Sequence, residues 1–285
     1  MSGALLQSTP QEALGDTASL ALALALMPLP IAPERRLQLQ RGVMARVQGS
    51  ALAHRDLTTV RREDGVWTAA NEGLQACALS AVGGLRVDLL KLEPHAVLPW
   101  PQDARAQEVL VLDGTLLVHA AGAAPVHLSR LNQVVVERAA GRRLTAGPTG
   151  TALYVRRRMV DLDRLPAAEA QWWAVAQTAA MSAAGQACPW SAFLEGADAA
   201  VLQAHGDVAS MLIRIAPGAT LPDHGHSLEE DCFMLEGDLF LGDILMRAGD
   251  YQLARAGGRH VGIASDTGGL FYFHGAVPPS ASGAA

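Results

Sequence analysis

Four side chains in the C-terminal part of the sequence have types and spacings suited to metal chemistry: His224, His226, Glu230 and His260. His224 and His226 are two residues apart, so on an extended strand their imidazoles leave from the same face. Glu230 follows shortly after the second histidine, and His260 follows a glycine-rich turn. The string reads G-x5-H-x-H-x3-E-x6-G from Gly218 to Gly237, with a second half from Gly249 through Gly257 to His260. Three imidazoles and one carboxylate converging inside a barrel make a site for one divalent first-row ion, zinc first, with iron, manganese or nickel as alternatives. Glu229 is a competing carboxylate, but it lies one residue off the inward register. Cys232 and Met234 share the parity of Glu230 and are expected to line the barrel as soft apolar filler rather than as ligands.

These residues need a scaffold to bring them together. Many short strands with evenly spaced glycine turns indicate barrels rather than βαβ units, and the chain contains the motif-bearing domain twice. An offset of 123 residues places Trp67 on Trp190, Leu89 on Leu212, Pro94 on Pro217, and Leu112 with Gly114 on Leu235 with Gly237. A constant offset that keeps tryptophan, proline and glycine marks a duplicated unit. Residues 108–118 are expected to form a hairpin around Asp113 and Gly114, and residues 232–241 another around Glu236 and Gly237. In the first copy Pro101 takes the place of His224, Asp103 that of His226, Gln107 that of Glu230 and, past a longer loop, Arg143 that of His260. That set is no shell for a borderline metal. The first barrel is therefore expected to be metal-free, with Arg143 serving structure, pairing with Asp103 or holding an anion.

The two motif halves resemble those of the cupin superfamily. The resemblance implies an all-β fold, two tandem cupin (double-stranded β-helix, jelly-roll) barrels with a short helical N-terminal segment. It also implies His224, His226, Glu230 and His260 as the metal ligands. Arg255 stands where proline is common and Ala264 where asparagine is common, and neither change removes a ligand. Within cupins the chain resembles the cupin half of ChrR-type anti-sigma factors. The tokens are Trp67, Trp190, the run P-G-A-x-x-P-x-H-x-H-x3-E from Pro217 to Glu230, and the closure Leu235-Glu236-Gly237. In that family an N-terminal module binds a sigma factor and holds zinc through H-x3-C-x2-C. Here no cysteine precedes Cys77 and no histidine precedes His54, so that module is missing or metal-free.

The expected organisation is a helical segment over residues 1–50, a degenerate metal-free barrel over 51–162, a helical linker over 163–184, a metal-binding barrel over 185–277 and a disordered tail over 278–285. Helices are expected over 18–27 and 33–47, the second started by Pro33 and carrying an apolar stripe of Leu37, Val43, Met44 and Val47. Such a stripe packs on its own domain or, alternatively, on a partner. Trp172 and Trp173 in the linker are expected to pack against the barrels.

Composition narrows the partners. A net charge of −6 across 285 residues offers no footprint for nucleic acid. The basic run Arg156-Arg157-Arg158 is expected at a solvated strand end. Cys77, Cys188 and Cys232 are far apart and lack a C-x2-C pair, which suits a reduced, cytoplasmic chain. The apolar run from Leu20 to Met27 is too short to span a bilayer and follows acidic Glu12 and Asp16, so neither a membrane span nor a secretory leader is expected.

The function expected from the resemblance is regulatory: a metal-binding bicupin of anti-sigma type that answers a small molecule or an oxidative signal and acts on transcription through a sigma factor held by the N-terminal segment. Cys232 is a candidate oxidation target. The alternative is a metal-dependent dioxygenase or isomerase, with Tyr251, Arg255 and His274 as candidate cavity walls. A polar, open cavity would mark the enzyme, and a tight apolar one the sensor. The barrels are expected to pair within the chain, and a homodimer is a further arrangement.

Overall fold

The computed structural model describes residues 31–179 and 189–277. The expected helix over 18–27, the end of the linker and the tail lie outside the described residues. The chain divides into an N-terminal unit ending at Leu52 and a β unit from Ala53 onward. Helix α1 (Pro33–Ala53) begins on proline, whose missing N–H would be unsatisfied in a first turn anyway. Its stripe of Leu37, Val43, Met44 and Val47 is exposed rather than covered.

In the β unit the main strands of the first copy are Leu74–Val82, Leu85–Leu92, Ala106–His119 and Arg143–Arg158. They match Ala197–His205, Val208–Ile215, Glu230–Leu241 and Gly269–Ala276 in the second. Both sets pair antiparallel in the same order, first strand to second, second to fourth, fourth to third. The duplication in the sequence is thus a duplication of one jelly-roll barrel.

Its retained residues have local causes. Lys91 lies 4.1 Å from the centre of the Trp67 ring and Arg214 4.1 Å from that of Trp190, the same cation–π contact made twice. The expected hairpins at Gly114 and Gly237 are absent. Ala106–His119 and Glu230–Leu241 each run through as one strand, with register shifts beside these glycines. A bulge at a positive-φ glycine (74° and 72°) bends a strand instead of reversing it. A Cβ on Gly114 would collide with the carbonyl oxygen of Gly150, and one on Gly237 with that of Gly268. Backbone packs on backbone at both barrel corners, which admits only glycine.

The strand Leu57–Val60 falls within residues 51–162, the span expected for the first barrel, yet it pairs with Tyr251–Ala254 of the second copy, with Thr59 opposite Gln252.

The barrels pack sheet on sheet. Cys77, Leu110 and Tyr154 of the first join Leu212, Phe233 and Tyr272 of the second in one buried cluster, the Tyr154 and Tyr272 rings 4.8 Å apart. Between the copies, helix α2 (Ala167–Ala179) buries Trp172 and Trp173 fully against the first barrel's core, with the Trp172 ring 4.7 Å from that of His274 of the second. Replacing either by alanine would cost about 3–5 kcal/mol.

The arginine run is not solvated. Arg156, Arg157 and Arg158 are 2%, 4% and 4% exposed, because Arg143–Arg158 is flanked by a strand on either side. Buried cations persist only with partners. Arg157 lies 2.5 Å from Asp88 and Arg158 3.3 Å from Glu137. Arg156 donates from Nη2 to Glu169 Oε1 on α2 at 2.5 Å, and from Nε across the interface to Asp231 Oδ2 at 3.0 Å. The cluster has a counterpart from the second barrel. Arg156 stands opposite Glu108 in the first sheet as His274 stands opposite Asp231 in the second. Gln133 donates to Glu108 as Tyr251 donates to Asp231. Ser210 gives its hydroxyl hydrogen to Glu108 at 2.6 Å, and His274 lies between the two clusters, its Nδ1 2.8 Å from Ser210 Oγ and its Nε2 3.1 Å from Glu169 Oε2.

Candidate metal centre

Local pairing draws the motif residues together at one end of the second barrel. Strand His224–Gly225 pairs with Arg259–His260, with His224 directly opposite His260. His226 donates its backbone N–H to Gly258 O at 3.0 Å and accepts from Gly257 at 2.8 Å, which turns its side chain onto the same site. Asp223 Oδ1 accepts from Gly262 N at 2.7 Å and ties the two loops. Glu230 opens the long strand Glu230–Leu241. It faces the barrel interior, while Asp231, next in sequence, faces Arg156 at the interface.

Among the described residues, His224, His226, Glu230 and His260 form the one group of three or more histidine, cysteine or acidic side chains arranged to hold a metal, with ligand atoms all within 4.8 Å of one another. His226 Nδ1 lies 3.1 Å from Glu230 Oε2, His260 Nδ1 3.4 Å from Oε1, and His224 Nε2 3.8 Å from Oε2. His226, Glu230 and His260 are buried, and His224 is half-buried at the mouth. The remaining ring nitrogens are mostly engaged: Pro222 O lies 3.1 Å from His224 Nδ1, and Gln252 Oε1 2.9 Å from His260 Nε2. His226 Nε2 is buried with no hydrogen-bond partner, an orphan that protein interiors rarely tolerate.

The electrostatics suit a cation. Burial works against the Glu230 charge, yet hydrogen bonds from His224, His226 and His260 hold its carboxyl well below the usual carboxylate range. The bond to Glu230, acting against burial, raises the His224 imidazole above its ordinary value. An ionised carboxylate inside three imidazoles, one with an orphaned nitrogen, is a donor set that fits a divalent ion. Glu229 is no competitor, for it lies beside Gly83 outside the barrel.

The space beside the group is small and apolar. A cavity of about 60 Å³ is lined by Phe193, Leu221, Cys232, Leu239, Phe271 and Phe273 together with His224, Glu230 and His260. Burial, then the nearby charges of Glu230 and Asp231, push the Cys232 thiol well above its ordinary range, so it is a neutral wall residue there. Tyr251 and His274, candidate walls by sequence, face the barrel interface instead, and Arg255 is exposed. Sequence reasoning passed over Gln252. Its signal was a polar side chain at an inward position of the strand Tyr251–Ala254, where the first copy has Val134.

In the first barrel Gln107 is fully buried, with both amide atoms lacking a hydrogen-bond partner. Pro101 is half-buried, and Asp103 and Arg143 are exposed. Arg143 therefore does not reach into that barrel.

Residues 178–278 match the family model of the ChrR cupin-like domain. No curated protein matches the chain in sequence. Among solved structures, AerE from Microcystis aeruginosa is 13% identical with a TM-score of 0.54, over 75% of this chain and 97% of that one. YlbA from Escherichia coli is 14% identical with a TM-score of 0.56, over 78% and 91%. Oxalate decarboxylase from Lactobacillus farciminis is 13% identical with a TM-score of 0.53, over 77% and 86%. These likenesses are of fold, and the fold is the cupin one. No helix among the described residues is long and apolar enough to cross a membrane.

Proposed function

We propose that this cupin chain is a regulatory sensor whose C-terminal barrel holds one divalent ion, zinc by preference, on His224, His226, Glu230 and His260. The observation that carries the reading is the cavity of about 60 Å³ beside those residues. Pockets for organic substrates run to about 300–1,000 Å³, so a bulky substrate has no room there. The walls other than His224, Glu230 and His260 are apolar, and none offers a general acid or base. A bound ion would supply Lewis acidity and a fixed positive charge. The chain's own residues would orient it, exclude water and admit only a small molecule or oxidant past the half-buried His224.

The match of residues 178–278 to the ChrR cupin-like domain supports extending this to an anti-sigma role, with a sigma factor contacted by the N-terminal segment and its exposed α1 stripe. Metal analysis of protein purified without added metal, then oxygen-uptake assays with small diketones and phenols, test the reading. Zinc without turnover is the expected result. Bound iron with substrate-dependent oxygen uptake would replace the sensor by a metal-dependent oxygenase. Co-purification of a sigma factor, lost on deleting residues 1–50, would support the partner.

A further inference from the structure

We infer that Gln252 is a positioning residue for His260 and that Thr59 locks Gln252 in place, so that metal affinity depends on the seating of the strand Leu57–Val60. The inference rests on the metal reading given above.

Gln252 is fully buried and uses both ends of its amide. Oε1 lies 2.9 Å from His260 Nε2, and Nε2 donates to Thr59 Oγ1 at 2.9 Å. Thr59, Gln252 and Cys232 are direct cross-strand partners, so they form one row on the inward face of the second barrel. An imidazole that gives one lone pair to a metal carries its hydrogen on the other nitrogen, and that hydrogen needs an acceptor. Gln252 Oε1 is placed to accept it. The amide can then only donate from its other end, and the Thr59 hydroxyl oxygen takes that hydrogen.

The row is not required by the barrel as such. At the matching place the first copy has Val134, buried within its apolar core; Val134 stands opposite Val109 as Gln252 stands opposite Cys232. A cupin barrel of this chain thus packs without the amide where the histidines are also missing. Cys232 cannot take over from Gln252, since its buried thiol is neutral and a weak acceptor. Without Thr59 the amide N–H would be buried unpaired and the amide free to turn.

Thr59 comes from the N-terminal side of the first barrel, on the strand that follows α1 in the sequence. Coupling between two binding events is reciprocal. A strand that steadies the ligand His260 is in turn held more firmly when His260 is engaged.

The test uses the full chain, stripped of metal and titrated with Zn²⁺ against a chromophoric chelator and with Co²⁺ followed by its d–d absorption. Gln252→Leu, close in volume, should weaken zinc binding about 10–100-fold and shift the cobalt bands. Thr59→Val should weaken it less, in the same direction, and Thr59→Ser should restore both readouts. Metal should slow amide exchange along Leu57–Val60 in the wild type and not in Thr59→Val. Metal-free melting of each variant reports folding; if Gln252→Leu does not fold, the Thr59→Val and Thr59→Ser pair on the half-buried edge decides. Wild-type affinity and an unchanged cobalt spectrum in Thr59→Val overturn the inference while leaving the metal site standing. Failure of the wild type to bind either ion overturns the metal reading and the inference with it.

Discussion

Arg156 of the first barrel donates from Nε to Oδ2 of Asp231 in the second at 3.0 Å, and Asp231 is the neighbour of Glu230 in the candidate metal site. A single buried cation therefore joins the degenerate barrel, helix α2 through Glu169 and the strand that carries the site. Replacing Arg156→Met would leave Glu108, Glu169 and Asp231 buried with one cation fewer. Breaking a buried pair from one side costs about 3–5 kcal/mol, and urea unfolding should show a loss of that order. A variant as stable as the wild type would mean that the cluster is not closed in solution.

Glu169 gives this interface a pH dependence. Burial opposes its charge, but Arg156 and then His274 depress its carboxyl far below the ordinary range. A depressed carboxylate stabilises the fold above its unfolded value of about 4.3, and that contribution is lost as pH falls from there toward the folded value. Urea midpoints should accordingly drop below pH of about 4.3, and more steeply in the wild type than in Glu169→Gln. Parallel pH profiles would contradict the assignment.

For the metal site, His226→Ala removes one of four donors and should lower metal content about tenfold or more, read by elemental analysis. Gln107→Glu should place no metal in the first barrel, because Pro101, Asp103 and Arg143 stay in the other three positions. Retained metal in the first variant would show that the donors are misassigned.

His224 should set the pH window of metal binding at the proposed site. Its imidazole is raised above the unfolded value of about 6.5 by Glu230. In metal-free protein the pair stabilises fully below that value and is lost as pH rises through the higher folded value. A metal needs the neutral ring, so zinc affinity should fall as pH drops through the same raised window. Chelator competition between pH of about 6 and 8 should give a rising curve; a flat one would contradict the role of His224.

Gly237→Ala should destabilise by about 1–3 kcal/mol from its positive φ alone, with the collision against the Gly268 carbonyl adding to it. Thermal unfolding measures this. An unchanged midpoint would mean that the strand corner is not close-packed.

Much of the site was legible beforehand because its geometry is local. The i, i+2 spacing of His224 and His226 and the inward parity of Glu230, Cys232 and Met234 follow from a strand's period of two. The duplication was legible too, since Gly114 and Gly237 meet the same backbone corner and Trp67 and Trp190 each meet a cation at the matching position, Lys91 and Arg214. The hairpin reading of those glycines failed. A positive φ serves a bulge as well as a turn, and only the unbroken run of Ala106–His119 and of Glu230–Leu241 as single strands distinguishes the two.

The sequence by itself determined the barrel type, its duplication, and which copy keeps three histidines and a glutamate. The tertiary structure alone decided what stands opposite what. It buried the Arg156–Arg158 run by enclosing its strand, turned Tyr251 and His274 to the interface, and brought Thr59 across to Gln252 beside His260. The physical reason is range. Side-chain parity and backbone conformation are set by immediate neighbours, whereas the buried Arg156 and Gln252 also need partners far away in sequence, Asp231 and Thr59, which no local pattern encodes.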